Sequence, residues 1–267
     1  EQGRRVRLWN EGIDAASSVH RQRFDDPAVT GSLGGLGFGG AGLPQRAIDE
    51  VLRRPQGEMA GIGFGLTESN GVAAAASGAV FRHAPRASGL ISPIIDLRII
   101  DADGNPLPAG SMGEICLRGV TVMEGYWNDP EATANAMRGG WFHTGDVGYV
   151  SDDGLLFVVD RIKDVINRSG EKIAAAEVES CLLQHPDLEE AAVFAMPDEG
   201  TGEAVAAAVV VREGFWVSEA ELQAHVAAHL AGYKVPARIF MREDALPRNP
   251  AGKLLKGDLK RECLGAA

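Results

Sequence analysis

The sequence predicts a mixed α/β and α+β protein in two parts, a strand-rich part over residues 1–160 and a small α+β domain over residues 161–267. Short β-type segments separated by turn signals fill the middle of the chain. Helical and strand patterns alternate in the last hundred residues. The 267 residues, 45% of them hydrophobic, are enough for one large or two ordinary domains with sizeable cores.

The strand-rich part has one predicted helix, Gln45–Arg54, with Ile48, Val51 and Leu52 on a single face. Four strands are predicted from apolar segments bounded by turn residues. They are Met59–Phe64, Ile95–Ile100, Gly113–Arg118 and Leu155–Val159. The second and third of these flank the turn signal D-A-D-G-N-P, so we expect them to pair.

The second part is predicted to contain three helices and three strands. In chain order these elements are Ala174–Gln184, Ala191–Ala195, Ala204–Val211, Ser218–Leu230, Arg238–Arg242 and Lys256–Cys263. The first of the helices should face inward through Val178, Cys181 and Leu182. Ser218, with Glu221 three residues later, forms the pattern of a capping box and marks the start of the second helix.

The formal net charge of −11 argues against a nucleic-acid partner, because binding a phosphate backbone requires clustered lysine and arginine. Cys116, Cys181 and Cys263 lie far apart and show no metal-ligand spacing, so we expect free thiols and no structural zinc. No apolar run reaches transmembrane length and no signal peptide opens the chain. These features favour a cytoplasmic protein without a transmembrane segment.

The segment G-F-G-L-T-E over residues 63–68 combines a hydroxyl and a carboxylate at the predicted end of a strand. The hydroxyl of Thr67 can donate to a phosphate oxygen. The carboxylate of Glu68 can hold Mg²⁺ beside that phosphate, since hard cations prefer oxygen ligands. Taken alone, the segment is equally typical of a strand-to-loop junction with an incidental threonine and glutamate.

The segment T-G-D over residues 144–146 offers a carboxylate directly after a tight turn. On its own Asp146 is more typical of a turn aspartate that bonds its own backbone. The preceding residue, His143, has no serine or cysteine motif that would complete a catalytic triad, so we interpret it as structural.

Three charged segments lie at or after the predicted domain boundary. They are D-R-I-K-D over 160–164, N-R-S-G-E-K over 167–172 and P-R-N-P-A-G-K over 247–253. The first coincides with the boundary placed near residues 160–163, which favours a hinge over a solvated hairpin edge. In the third, prolines limit the freedom of a loop that carries Lys253. An ammonium there could stabilise charge that develops on a phosphate during transfer.

Together these segments resemble the nucleotide-handling and hinge motifs of the acyl-adenylate-forming, or AMP-binding, enzymes, which include acyl-CoA synthetases, aryl-acid ligases and luciferases. The resemblance covers roughly residues 24–263. It implies that residues 1–160 are the C-terminal, β-rich portion of the large AMP-binding domain. Residues 161–267 would then be the small, mobile lid domain, with a hinge near Lys163.

The resemblance also implies roles for individual residues. The catalytic residues would be Lys253, Glu68 and Thr67, with Glu68 holding Mg²⁺. The nucleotide would be bound by Gly40, Ala41, Gly63, Phe64, Asp146 and Arg161. Asp146 and Arg161 would contact the ribose, and Phe64 would stack on adenine. The loop that serves the thioester step would contain Arg168, Ser169, Gly170 and Lys172, with Gly170 leaving a channel for pantetheine.

The glycine run at residues 35–40 supports two interpretations. It matches G-x-G-x-x-G, which in a dinucleotide-binding enzyme follows a strand and opens a helix, and this alternative predicts binding of NADH. Pro44 delays the helix, however. Residues 39–44 are more similar to the G-G-A-P-L turn of the adenylate-forming family, although Gly42 replaces the usual proline.

The resemblance implies ATP-dependent activation of a carboxylic acid to acyl-AMP and transfer to CoA, with Mg²⁺ as cofactor and ATP and CoA as co-substrates. A fatty or medium-chain acid is favoured by the segment L-P-R-N-P-A-G-K-L-L-K. Ala174-Ala175 instead favours an aryl-acid ligase that loads a carrier protein. A non-catalytic nucleotide-binding remnant and a homodimer also remain open. The family's phosphate-gripping loop is expected upstream of Glu1, so we expect this chain alone to bind nucleotide weakly and not to form the adenylate.

Overall fold

Two compact units make up the protein, and the division falls between Ile162 and Lys163. The structure is a computed structural model and describes residues 37–39, 45–53, 60–249 and 254–265. No helix within these ranges is long and apolar enough to cross a membrane. Each unit has its own sheet and its own buried apolar clusters.

A mixed eight-stranded sheet forms the first unit, in the order β1-β2-β3-β4-β8-β7-β6-β5. Its strands are β1 (Gly37–Gly39), β2 (Gly61–Leu66), β3 (Gly71–Ser77), β4 (Gly89–Ile91), β5 (Ile95–Ile100), β6 (Gly113–Gly119), β7 (Phe142–Val150) and β8 (Leu155–Arg161). The pair β1–β2 is parallel, and every other pair is antiparallel. The predicted hairpin of β5 and β6 is confirmed.

Three α-helices accompany this sheet among the described residues: α1 (Gln45–Arg53), α2 (Gly78–His83) and α3 (Pro130–Ala136). The inward face of α1 is confirmed for Ile48 and Val51, which are buried, and Val51 packs with residues of β2 and β3. Leu52 is 37% exposed and lies outside this face. Asp129 caps α3 by accepting a hydrogen bond from the amide of Ala132 at 2.9 Å.

A five-stranded sheet forms the second unit. Its strands are β9 (Ile166–Arg168), β10 (Glu171–Ile173), β11 (Leu188–Asp198), β12 (Gly202–Val211) and β13 (Arg238–Arg242). The order is β10-β9-β12-β11, and β13 pairs in parallel with residues 206–210 of β12, on the edge that β11 leaves open. Its helices are α4 (Ala175–Leu182), α5 (Glu219–His229) and α6 (Lys256–Leu264).

The alternation of side chains along β12 explains why this small unit holds together. Val205, Ala207 and Val209 pack in one cluster with residues of α4 and α5, while Ala206 and Ala208 pack in a second cluster with Leu259 of α6. A strand that is apolar on both faces is buried on both faces. The sheet is therefore covered by helices on its two sides.

Most predicted elements of the second unit are confirmed, with ends shifted by a few residues. The capping box of α5 is present: Ser218 and Glu221 bond each other's backbone amides at 2.9 and 3.2 Å. The strands predicted at Ala191–Ala195 and Ala204–Val211 are longer than expected and form one antiparallel hairpin. The mixed α and β fold class is confirmed.

Candidate active site

A carboxylate–guanidinium pair lies at the end of β8. Asp146 on β7 and Arg161 on β8 are register partners, so their side chains project from the same face of the sheet. Arg161 Nε lies 2.8 Å from Asp146 Oδ1, and the side chains are 38% and 6% exposed, respectively. The carboxylate is thus held by the guanidinium, and the arginine is the more exposed of the two side chains.

The turn before Asp146 is held by side-chain bonds. The hydroxyl of Thr144 donates to the carbonyl of Ile115 at 2.8 Å and accepts from the amide of Asp146 at 3.0 Å. Gly145 has a φ of +71°, a left-handed conformation that favours glycine. In the motif T-G-D, Thr144 therefore anchors the segment, Gly145 makes the turn and Asp146 presents a carboxylate.

His143, interpreted from the sequence as structural, lies in a half-buried polar cluster beside this turn. Its Nδ1 is 2.9 Å from Glu114 Oε2 and 2.9 Å from a guanidinium nitrogen of Arg138. The other carboxylate oxygen of Glu114 accepts the amide of Gly145 at 3.3 Å. The cluster connects β6 to the backbone beside Asp146 and supports the turn.

Cys116 adjoins the same cluster, with its sulfur 3.6 Å from His143 Nδ1. Burial, and after it the charge of Glu114, raises the pKa of the Cys116 thiol from 9.0 to about 11. The thiol is neutral at physiological pH and is fully buried, which makes it unreactive.

We expect this thiol to contribute to the alkaline stability limit of the protein. Its folded-state pKa is raised, so its contribution is complete below pH 9 and is lost as the pH rises through about 11. Two pH units correspond to about 3 kcal/mol of unfolding free energy. Urea unfolding over this pH range should show a smaller loss in Cys116→Ala than in the wild type. An identical loss in both proteins would contradict the assignment.

The turn after β2 presents Thr67 and Glu68. Ser69, which is buried, lies with its hydroxyl oxygen 3.0 Å from the carbonyl of Leu66 and 2.9 Å from that of Gly71, and it accepts the amide of Leu66 at 3.0 Å. These bonds close the short helical turn Thr67–Ser69. Thr67 is exposed and Glu68 half-buried, so both are available to a ligand.

Tyr126 binds this turn from the loop before α3. Its hydroxyl donates to Glu68 Oε1 at 2.9 Å, and the amide of Met123 donates to the carbonyl of Glu68 at 2.8 Å. Partial burial and then the hydrogen bond to Glu68 raise the pKa of the Tyr126 phenol, so it remains a donor. Tyr126 therefore holds one carboxylate oxygen of Glu68, and this bond also sets the orientation of the other oxygen.

Phe64 and Gly63 precede this turn on β2. Phe64 is half-buried beside the apolar cluster of the large sheet, and Gly63 pairs with Gly39 of β1. The glycines at 37 and 39 thus belong to a strand and not to a phosphate-binding loop, which removes the structural basis of the dinucleotide alternative. Gly40 and Ala41 lie outside the described residues.

In the second unit, the residues expected to serve the thioester step share one hairpin. Ser169 and Gly170 connect β9 to β10 with φ values of +50° and +93°, the pattern of a tight two-residue hairpin turn. Asn167 accepts the amide of Gly170 at 3.1 Å, and Arg168 donates to the carbonyl of Tyr233 at 2.7 Å. The turn is exposed, and Gly170 has open space beside its Cα.

Lys163 and Lys172 are both exposed. Lys163 lies in the short helical turn Ile162–Asp164, directly after the division between the units. Lys172 is on β10, beside the hairpin turn of Ser169 and Gly170. The structure thus brings Arg168, Ser169, Gly170 and Lys172 together in one hairpin. Lys163 lies outside it, in the turn that precedes β9.

The residues that flank 250–253 pair with each other. Arg248 and Leu254 form an antiparallel bridge, and Arg248 lies 2.8 Å from Glu190 on β11. Lys253 itself lies outside the described residues. The ammonium of Lys256, at the start of α6, pairs with Glu179 of α4 at 2.6 Å.

Family models match both units. One, described as AMP-binding enzyme, matches residues 7–127, and a second, described as AMP-binding enzyme C-terminal domain, matches residues 177–253. The chain belongs to the acyl-adenylate-forming, AMP-binding family. The resemblance seen in the sequence motifs is therefore confirmed.

Curated relatives in the AMP-binding family differ in the acids they are named for. The chain is 40% identical to 4-coumarate–CoA ligase 2 of Nicotiana tabacum over 227 residues. The aligned part is 83% of this chain and 42% of that protein. It is also 40% identical over 228 residues to the fatty acid–[acyl-carrier-protein] ligase ScoC of Streptomyces coeruleorubidus, covering 84% and 43%. The chain thus spans less than half the length of these relatives.

Solved structures of the family give the same fold. The o-succinylbenzoate CoA synthetase MenE from Bacillus subtilis, in complex with its acyl-adenylate intermediate, matches with a TM-score of 0.80 and 32% identity. The match covers 91% of this chain and 48% of MenE. A second structure of MenE contains ATP and a magnesium ion and matches with a TM-score of 0.76 over 87% of this chain and 49% of that one.

The magnesium ion that the AMP-binding family implies can be compared with the donors at Thr67 and Glu68. Both offer hard oxygen atoms, and one oxygen of Glu68 is already engaged by Tyr126. Mg²⁺ typically keeps several waters and takes one or two protein carboxylates besides substrate phosphates. One partly exposed carboxylate with an adjacent hydroxyl therefore fits such a site.

Tyr126 and Glu114 were missed by sequence reasoning. Tyr126 is separated from Glu68 by 58 positions, and Glu114 from His143 by 29. Neither pair has a local spacing that indicates contact. The signal available for Tyr126 was a hydroxyl-bearing aromatic residue in the glycine-containing segment E-G-Y-W, which does not identify a partner.

Proposed function

We propose that this chain carries the nucleotide-binding and thioester-forming residues of an AMP-forming acid–thiol ligase. The observation that supports the proposal most is the pair of Asp146 and Arg161, fixed by strand register and by the Thr144 turn. A carboxylate with two oxygens can accept both hydroxyls of a vicinal diol, as a ribose offers. Buried on one side and positioned by the sheet, it suits a sugar better than a mobile surface carboxylate would.

The reaction has two steps. A substrate carboxylate oxygen attacks the α-phosphorus of ATP, and the bond to pyrophosphate breaks to give acyl-AMP. The CoA thiol, losing its proton to solvent, then attacks the acyl carbonyl, and AMP leaves with the electron pair of the broken bond. Bound Mg²⁺ would offset phosphate charge in the first step, and the ammonium of Lys253 would stabilise the charge that develops between carboxylate and phosphate.

Exchange of one catalytic segment for another would separate the two steps. Lys163 is the proposed pivot, and rotation of the second unit would replace Lys253 by the hairpin of Arg168, Ser169, Gly170 and Lys172. The open space beside Gly170 supports passage of a narrow chain such as pantetheine. A side chain at this position would reduce that opening.

The acid is proposed to be of the fatty or medium-chain kind, as the segment around Lys253 favours. The alternative is an aryl acid, delivered to CoA or to a carrier protein. The names of the relatives support both, since one is named for 4-coumarate and another for a fatty acid and an acyl carrier protein. A panel of acids from short aliphatic to aryl, tested with CoA, distinguishes them.

The experiment that tests the proposal separates the two steps. Preformed acyl-AMP and CoA are given to the chain, and acyl-CoA and AMP are measured against the uncatalysed thiol reaction. We expect catalysis of this transfer, and we expect Lys253→Ala to leave it unchanged. The ATP-dependent reaction is measured as acid-dependent AMP release in the presence of the expected upstream phosphate-binding portion. There the same substitution should lower the rate at least about tenfold through lost charge stabilisation.

Lys260→Ala is the matched control, because it removes another lysine from the same C-terminal segment. It should change neither step. A folded chain that accelerates neither acyl transfer nor AMP release would overturn the enzymatic proposal and favour a non-catalytic nucleotide-binding remnant. Equal loss of both steps in Lys253→Ala would contradict the exchange of segments.

A further inference from the structure

A cluster of cysteine and histidine side chains lies between α4 and α5, apart from every residue assigned above. Cys181 is on the last turn of α4, and His225 and His229 are one turn apart on α5. One ligand atom from each of the three lies within 4.8 Å of the other two. Cys181 is buried, His225 is half-buried and His229 is exposed, so the cluster opens to solvent on one side.

Hydrogen bonds to carbonyl groups select one tautomer of the neutral ring in each histidine. His225 Nε2 lies 3.0 Å from the carbonyl of Cys181, and His229 Nδ1 lies 2.7 Å from the carbonyl of His225. A carbonyl can only accept, so each of these nitrogens carries the proton in the neutral ring. His225 Nδ1 and His229 Nε2 therefore keep a lone pair.

This arrangement is the one that supports histidine as a metal ligand. A metal-bound histidine almost always donates its other ring N–H to a carbonyl or carboxylate, which fixes the tautomer and the ring orientation. A third imidazole, that of His185, stands edge-on to His225 with the ring centres 5.3 Å apart. Nitrogen and sulfur ligands together favour borderline cations such as Zn²⁺ over Mg²⁺ or Ca²⁺.

The other cluster of comparable composition, Glu114, Cys116 and His143, does not offer the same opportunity. The guanidinium of Arg138 already lies 2.9 Å from His143 Nδ1 and 3.8 Å from Glu114 Oε2. A cation at that place would be repelled by the arginine. Among the described residues that contact Cys181, His225 and His229, no lysine or arginine occupies the corresponding position.

We propose that Cys181, His225 and His229 form a Zn²⁺ site with water as the fourth ligand. Tetrahedral zinc with bonds of about 2.0–2.3 Å places its ligand atoms roughly 3.3–3.8 Å apart. The cluster therefore needs only side-chain adjustment to close. Binding converts the Cys181 thiol to a thiolate and releases its proton to solvent, while both imidazoles bind in the neutral form. The ion would join α4 to α5 within the second unit.

The test uses the full 267-residue chain without a histidine tag, titrated with Zn²⁺ in competition with a chromophoric chelator. We expect one Zn²⁺ per chain and a melting temperature that rises with Zn²⁺ concentration. His225→Gln and His229→Gln should each weaken binding at least about tenfold, the loss typical of a disturbed metal site. The control is His83→Gln, an exposed histidine of α2, which should leave both readouts unchanged.

Thiolate ligation is tested without altering buried Cys181. The chain is loaded with Co²⁺, and a sulfur-to-cobalt charge-transfer absorption is expected in the wild type and absent in His229→Gln. The proposal is overturned by substoichiometric binding, by equal weakening in His83→Gln, or by a cobalt spectrum without the thiolate band. His229 is exposed, so its variant should fold, and circular dichroism confirms that any loss is not one of structure.

Discussion

Asp146→Asn is expected to weaken AMP binding at least about a hundredfold, because two hydrogen bonds to a charged acceptor contribute about 1.5–3 kcal/mol each. The amide keeps the volume of the side chain but loses the charge that faces Arg161 at 2.8 Å. The folded state should also lose about 1–3 kcal/mol, since the arginine keeps its charge without the partner. Isothermal titration with AMP and urea unfolding measure the two effects separately.

A second nucleotide makes the test specific for the ribose contact. AMP that lacks both ribose hydroxyls should bind the wild type as weakly as AMP binds Asp146→Asn, and the variant should not distinguish the two nucleotides. This is a double-mutant cycle in which one partner is the ligand. A variant that still prefers normal AMP would contradict the ribose assignment.

The control for this substitution is Asp96→Asn. Asp96 and Arg118 also pair across neighbouring strands at 2.8 Å, but their side chains are 63% and 57% exposed. Exposed pairs of this kind contribute about 0–1 kcal/mol. Asp96→Asn should therefore leave AMP affinity unchanged and stability nearly so.

Gly89→Ala should prevent stable folding of the first unit, with a loss of about 4 kcal/mol or more. A Cβ at Gly89 would lie 1.9 Å from the carbonyl carbon of Ala75 and 2.2 Å from the amide nitrogen of Ala76, and the backbone has a φ of +105°. Both obstacles are main chain, which cannot rotate away. Because β4 joins β3 to β8, displacement there separates the two halves of the large sheet.

Gly154→Ala is the matched comparison, because it isolates backbone strain from steric overlap. Gly154 has a φ of +82° but nothing within 4 Å of the added methyl. We expect it to cost about 1–2 kcal/mol, the usual penalty for a left-handed residue with a Cβ. Thermal and urea unfolding of both variants provide the measurement. Similar small losses in the two would mean that the sheet accommodates the methyl at Gly89.

Sequence patterns predicted the elements whose apolar period was strong. The hairpin of β5 and β6 and the capped helix α5 are examples, because alternation and a local capping signal determine them. The strand β3, with the sequence G-V-A-A-A-A-S, was missed because alanine has little preference for strands, and its pairing with β2 and β4 decides its state.

In the candidate site, too, local motifs were predicted and contacts between distant segments were not. Asp146 and Arg161 were identified by motif, and β7 and β8 bring them into contact. Cys181 and His225 are 44 positions apart, and no metal-ligand spacing in the sequence predicted their proximity. It follows from the packing of α4 against α5, which a one-dimensional pattern does not encode.

The position of Arg161 has a mechanical consequence. It is the last residue of β8 and is held in the ladder opposite Asp146, while the second unit begins only two residues later, at Lys163. The backbone of a hydrogen-bonded strand cannot rotate freely. A rotation of the second unit would therefore not extend past Arg161 into β8. Each peptide residue has two soft torsions, so the turn Ile162–Asp164 offers about six. Any rotation of the following hundred residues would therefore have to be produced by changes in those few backbone torsions.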